Sequence, residues 1–373
     1  MKNLYKNQFV ILALFLFCLG VLIPFTESKA EKYSLLDNPT YQPKEEKQKV
    51  IKATFKVNKN DLLYISNKYG NINFTNHDKN EVSVKVTILA WAKNDRDAQT
   101  ILDRIEIEQN KSNQEIRFET QIEESRGGYR CNQREGFEIN YEIKIPKKIY
   151  IDVENKFGSV TLSDLQGKLN LNLKHGNFNG HNLTGMRHSL NVNFGNLSVS
   201  SLNSADIDVT HGSINIDKSD SDLKINSKHS NVRVDEANAL WIDAKHGNMR
   251  VGTVSKITGE NSFGRIEIRK VLKSADLELK HGNCQLERIA TGFDKVNVKN
   301  SHGSIELRFD SDAKFEFEAK TTHGSIRNSM PNTSIQKQDN DDHDKILEGK
   351  TNGGGKAKVN VSNQHGSIRL EER

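Results

Sequence analysis

Eight of the twelve histidines in this 373-residue chain sit just before a glycine or serine at a recurring spacing: His175, His211, His229, His246, His281, His302, His323 and His365. Neutral imidazole is a common metal ligand, so histidines held in register could form a metal-binding ladder. The same position is also filled by Phe157, Phe194 and Phe263, with an outlying copy at Tyr69. A phenyl ring cannot ligate a metal, and a column that accepts it reads as rings packed at a corner of the fold. No metal and no cofactor is therefore expected. Protonating stacked imidazoles together would set like charges in contact, so acid is expected to loosen the column.

The carboxylates are the second place to look for chemistry. Enzymes that cleave acidic polysaccharides on a β-helix need clustered carboxylates, a cation and an Arg or Lys base. Asp206, Asp208, Asp217, Asp220 and Asp222 lie close in sequence, but they interleave with Ser and Lys as a solvated face does. The acidic stretch 339–344 lacks the glycine and the terminal glutamate of a calcium loop. The sequence has no phosphate-cradling glycine loop, nucleophile elbow or paired zinc motif. The chain reads as non-enzymatic, with no catalytic residue. Charges of both signs are interspersed at a formal net charge of +5, which gives no basic stripe for nucleic acid. Cys131 and Cys284 match no ligand spacing, and Cys284 occupies an apolar repeat position, as a small core residue would.

The rings belong to a tripeptide of ring, Gly, then Ser or Asn, recurring about every 18 residues. Its glycines are Gly158, Gly176, Gly195, Gly212, Gly247, Gly264, Gly282, Gly303, Gly324 and the outlying Gly366, with Ser230 in place of one. A fixed short period is the mark of a repeat architecture. In the stretch from Ile207 to Ile216, Ile207, Val209 and His211 alternate onto one face, Gly212 turns the chain, and Ile214 and Ile216 continue inward. A third, looser apolar position follows at Leu165, Leu183, Leu202, Leu272 and Ile289. Glycine at the corner is explained by its access to positive φ, and Ser230 should make a slightly different corner. The residues after glycine (Ser159, Asn177, Asn196, Ser213, Asn231, Asn248, Asn283, Ser304, Ser325) form a second column, read as hydrogen-bonded ladders between coils, with a ligand-facing polar ladder as the alternative.

One coil buries too little apolar surface to offset the entropy of ordering it. Coils must stack as parallel, in-register strands. The expected fold is all-β: a parallel β-solenoid of about 18 residues per coil, preceded by a small β-rich region with one short helix. Ten coils make a rod about 43 Å long. Its handedness stays open.

Residues 1–30 read as a secretory signal: a basic start, an apolar run from Phe9 to Phe25, and Ser28-Lys29-Ala30 at the cleavage position. Its removal leaves no apolar run long enough to span a membrane. Residues 31–47 read as a linker and 48–150 as a β-rich capping region. That region carries alternation at 50–57, 62–65 and 82–88, and a helix capped by Asn94-Asp95. The solenoid repeats span 151–330. Residues 331–357 read as a flexible polar loop, and 358–373 as closing strands.

The segment Tyr141–Pro146 followed by Ile151–Leu162, then Leu-Gln-Gly at 165–167 and Gly353-Gly354-Gly355-Lys356 before the last His-Gly-Ser, resembles the DUF4097 family over residues 48 to 373. The resemblance implies an exported β-solenoid of the cell envelope, adhesin-like by shape, and brings no catalytic residues with it. The function expected is binding of a glycan or another envelope component through a repetitive polar face. Asn170, Asn172, Asp208, Asn215, Lys224 and Arg250 represent that face, which would work by avidity rather than a deep pocket. The alternatives are an envelope-stress sensor, periplasmic or anchored, and a polysaccharide-active enzyme. The mature chain would lie in the periplasm, on the cell surface or outside the cell. The oligomeric state stays open.

Overall fold

The computed structural model describes residues 45–123, 135–185, 187–341 and 343–373. The expected signal segment, most of the expected linker and Cys131 lie outside these residues. Residues 44–373 form one unit, almost entirely of β-strands, with one helix among the described residues. That helix, Asp95–Asp103, begins at Asn94, whose side chain accepts the Asp97 N–H at 2.9 Å, and it buries Ala98 and Leu102. No helix among the described residues is long and apolar enough to cross a membrane.

Strands stack in parallel and in register. Leu190 pairs with Ile207 and Val192 with Val209 before the corner, and Leu197 pairs with Ile214 and Val199 with Ile216 after it. These side chains are fully buried. Alternation sends their neighbours outward, so each coil contributes one apolar layer to a continuous core. On the third side Leu165, Leu183, Leu202 and Ile289 are buried as expected from their spacing. Leu272 is only half-buried, and Val271 takes the inward place there.

The expected boundary near residue 151 is not a structural one. Strand Leu62–Lys68 pairs in parallel with Tyr150–Lys156, and Ile72–Asn76 pairs with Val160–Leu162. Residues 62–76, with Tyr69-Gly70 at their corner, are thus the first complete coil. Below it lie Glu115–Ile122 and Gly136–Ile145. Antiparallel strands Glu81–Ala92, Glu45–Lys56 and Ile105–Lys111 extend that end. The first of these new strands starts at Glu45, inside the expected linker.

The other end also corrects the sequence reading. Residues expected as a polar loop contain an antiparallel hairpin, Thr333–Asn340 with Lys345–Thr351, and its second strand also pairs with Phe315–Thr321. The last strand, Ala357–Glu372, does not close the array from outside. It lies between two earlier coils: Val359 pairs with Val296 on one side and with Phe317 on the other. The spatial order is therefore His302, His365, His323. Glu316 fastens this arrangement by pairing with Lys350 of the hairpin at 2.9 Å and with Lys358 of the inserted strand. These two lysines hold its carboxyl down at about 2.

Candidate functional site

The most regular feature of the surface is a ladder of twelve rings. From Tyr69 through Phe157, His175, Phe194, His211, His229, His246, Phe263, His281, His302 and His365 to His323, successive centroids lie 4.6–5.2 Å apart, with planes 2–21° from parallel. Eleven steps of about 4.8 Å give a column about 53 Å long. It is longer than the ten coils first counted because Tyr69 and His365 join it.

The column does not fill a corner of the core. Every ring from Phe157 onward is exposed, Phe194 by 51 %. Ring faces pack on one another while ring edges meet solvent. The cause is in the backbone. Tyr69, Phe157, His175, Phe194, His211, His229 and His246 all have φ between 50° and 62°. That left-handed residue breaks the alternation, so His211 does not follow Ile207 and Val209 inward. The conformation costs about 1–3 kcal/mol for most side chains, and histidine tolerates it better than most. After Phe263, His281, His302 and His365 the positive φ passes to the glycine, as at Gly303 (126°) and Gly366 (135°).

Positive φ is thus not what demands glycine in the earlier coils. A Cβ on Gly158 would lie 1.9 Å from the carbonyl oxygen of Gly70, on Gly176 2.1 Å from that of Gly158, and on Gly212 1.8 Å from that of Gly195. The same close approach recurs at Gly195, Gly247, Gly264, Gly282, Gly303, Gly324 and Gly366. Ser230 breaks the column by taking over a backbone role: its Oγ accepts the Gly212 N–H at 3.1 Å and donates to Lys228 O at 2.8 Å.

Two polar columns support the corner. After the glycine, side-chain oxygens accept backbone N–H groups of the next coil: Asn71 from Ser159 (2.8 Å), Asn177 from Asn196 (2.9 Å), Asn231 from Asn248 (3.0 Å) and Asn283 from Ser304 (2.9 Å). Before the ring runs a column that the sequence reading missed. Asn67, Asn155, Asn261, Asn300 and Asn363 are buried two residues ahead of their rings. Asn155 Nδ2 donates to the carbonyls of Gly70 (3.0 Å) and Gly158 (2.9 Å), and Asn363 donates to Gly303 O at 2.7 Å. Glycine carbonyls that turn inward at the corner are paired this way. The signal was available, since these asparagines fall in phase with Leu173 and Val209 of other coils.

His188 was also missed. It is fully buried in phase with Ala205, accepts the Leu169 N–H through Nδ1 at 3.2 Å, and pairs Nε2 with Leu183 O at 3.1 Å. Burial pushes its pKa below the ordinary histidine value. Cys284 is a buried free thiol, pushed up to about 12 by burial. On the third side Asp164 accepts from Lys147 and meets His181, both at 2.8 Å, and these partners hold it at about 2.

Parallel imidazoles about 4.8 Å apart do not converge on one point. Among the described residues no group of three or more His, Cys, Asp or Glu side chains is placed to hold a metal. The aspartates 206–222 do not converge either. Arg187 grips Asp206 with two bonds of 2.6 Å, Asp208 accepts from Asn226 at 2.8 Å, and Asp220 pairs with Lys218 beyond the corner. The six outward residues first grouped as one face lie on two. Asn170, Asn172, Asp208 and Lys224 belong to the strands before the ladder, Asn215 and Arg250 to those after it. On the second face a shallow groove runs between Asn231, Arg233, Asn248, Arg250, Arg265 and Glu267.

Stacked coils, one core and columns of identical residues define the class: a parallel β-solenoid repeat protein. Residues 60–371 match the model of the Toastrack DUF4097 family, and the chain belongs to that family. Solved structures similar to it include a putative cell adhesion protein from Clostridium sporogenes (11 % identity, TM-score 0.22, covering 88 % of this chain and 100 % of that one). A putative adhesin from Bacteroides fragilis (13 %, TM-score 0.28, 86 % and 97 %) and a putative lipid binding protein from Parabacteroides distasonis (11 %, TM-score 0.32, 86 % and 96 %) are also similar. No curated protein matches the chain.

Proposed function

We propose that this protein is an exported, non-enzymatic component of the cell envelope that binds a glycan or another envelope component through its repetitive outer faces. The observation that carries this reading is the strict register of outward polar side chains. Parallel pairing repeats each outward position at about 4.8 Å, so a chain-like ligand lying along the rod would meet the same kind of group at every step. Many weak contacts at a fixed spacing give avidity without a deep pocket. The ladder favours polar contacts too, because its ring faces are covered and only edges, two thirds of them with imidazole nitrogens, are offered. Export rests on the N-terminal segment with its basic start, apolar run and small-residue cleavage position.

Incubating purified residues 31–373 with cell-wall, polysaccharide and surface extracts tests the binding. Retention above that of an unrelated solenoid is expected, and no retention from any extract would reject it. Protease shaving of intact cells tests the location. Loss of the protein supports a surface role, whereas protection until the envelope is opened would favour a regulatory protein inside it.

A further inference from the structure

Only two tryptophans occur in the chain, and one of them, Trp241, stands 40 % exposed in the middle of the rod. Its neighbours Leu240 and Ile242 turn inward and are buried, which leaves the indole on an outer face that is otherwise polar. An exposed indole there adds nothing to the core. Its known partner is the Lys224 ammonium of the preceding coil, 4.6 Å from the ring centroid. The registered residue of the following coil is only Thr258.

The ladder rings cannot serve as stacking platforms, because each face is covered by the next ring. Trp241 is outside that ladder, and the Lys224 ammonium covers one of its two faces. Around it the strand register sets hydrogen-bonding groups at one step in each direction. Asp243 lies two residues along the same strand, Glu260 is paired with Asp243 from the next coil, and Asn226 stands in the preceding coil, two residues past Lys224. Glu260 is in turn registered with Glu278. Glu278 is registered on its other side with Lys299, so the like-charged neighbours beside the indole are Asp243 and Glu260, an arrangement unfavourable on adjacent strands.

An apolar plane rimmed by acceptors in its own neighbourhood matches a pyranose ring, whose C–H face packs on an aromatic while its hydroxyls radiate sideways. We propose that Trp241 is the centre of a saccharide subsite, rimmed by Asp243, Glu260 and Asn226, that takes neutral or amino hexopyranose chains lying along the rod. Asp243 and Glu260 outnumber the Lys224 ammonium at the indole, which disfavours uronic-acid polymers by like-charge repulsion and favours an amino sugar. This subsite rests on the binding reading above and makes it specific to one face.

The test uses residues 31–373 carrying Trp91→Phe, so that Trp241 is the only indole. The probes are a hexamer of N-acetylglucosamine, its deacetylated amino form, and an oligogalacturonate. A saturable change in indole emission is expected with the first two, with the uronate at least about tenfold weaker. In the chain with both tryptophans, Trp241→Ala should weaken binding by about thirtyfold, as loss of a central aromatic anchor does. The pair Asp243→Asn and Glu260→Gln should abolish the preference for the amino form. No emission change with any probe, or unchanged affinity in Trp241→Ala, overturns the subsite. If an envelope extract is retained equally by wild type and Trp241→Ala, the subsite fails while envelope binding stands. If wild type retains no extract, both fall. Retention lost in Trp241→Ala with no response to any saccharide overturns the sugar chemistry.

Discussion

A Cβ on Gly195 would lie 1.7 Å from the carbonyl oxygen of Gly176, the closest approach among the corner glycines. The atom in the way is backbone, held by parallel pairing on both sides, so it cannot swing aside. Gly195→Ala is expected to cost about 3 kcal/mol or more by overpacking, seen as a lowered thermal midpoint. Ser230→Gly adds no Cβ and should cost less, about 1 kcal/mol, for the loss of the Oγ that accepts the Gly212 N–H. Equal effects of the two substitutions would refute the close-approach account of the glycine column.

Asn155 pairs two glycine carbonyls at once, those of Gly70 and Gly158. Asn155→Ala should leave the Gly158 carbonyl without this donor and the Gly70 carbonyl with only the 3.4 Å bond from Asn67, at a cost of about 2 kcal/mol. The side chain carries its own cost, since its Oδ1 is buried without a partner. Denaturant unfolding of the variant measures the balance, and a neutral result would mean that water enters the corner.

Burial depresses the folded-state pKa of His188 below its ordinary 6.5. The unfolded chain therefore binds the proton more readily, and stability rises with pH through this window. The contribution is complete above about 6.5 and is lost as the pH falls toward the folded value. Thermal melts at pH 7.5 and 5 should show the wild type weakened by acid and His188→Gln weakened less. Asp164, held at about 2 chiefly by Lys147 and then by His181, acts in a lower window: its contribution is present above 3.8 and lost as the pH falls through about 2. An equal response of wild type and His188→Gln would place the acid sensitivity elsewhere.

The inserted position of Ala357–Glu372 makes a strong prediction about truncation. Removing residues 357–373 deletes the partner of both Lys295–His302 and Phe315–Asn328. Hydrogen exchange should show protection lost in both stretches, and a peptide of residues 357–373 added in trans should restore it. Protection that survives truncation would argue against insertion.

The resemblance to DUF4097 read from the strand–Pro–strand entry and the ring-Gly repeats is matched by the family model over residues 60–371, and the all-β solenoid with one short helix is the fold observed. The sequence by itself determined the coil. Period-two alternation interrupted every 18 residues by ring-Gly-Ser/Asn leaves one way to bury Ile207, Val209, Ile214 and Ile216 together, and one coil cannot bury them alone. Those are local constraints, so they are legible locally. Three features were decided only in the tertiary structure. The rings from Tyr69 to His246 point outward because their backbone turns left-handed, and glycine follows the rings because a neighbouring coil's carbonyl lies where a Cβ would be. Both depend on the distance between coils, which no single coil encodes. The position of the last strand depends on which coils are neighbours. His302, His323 and His365 carry the same motif, and their spacing fits several stacking orders. Only the hairpin at 333–351, which carries the chain back to Ala357, selects the one observed.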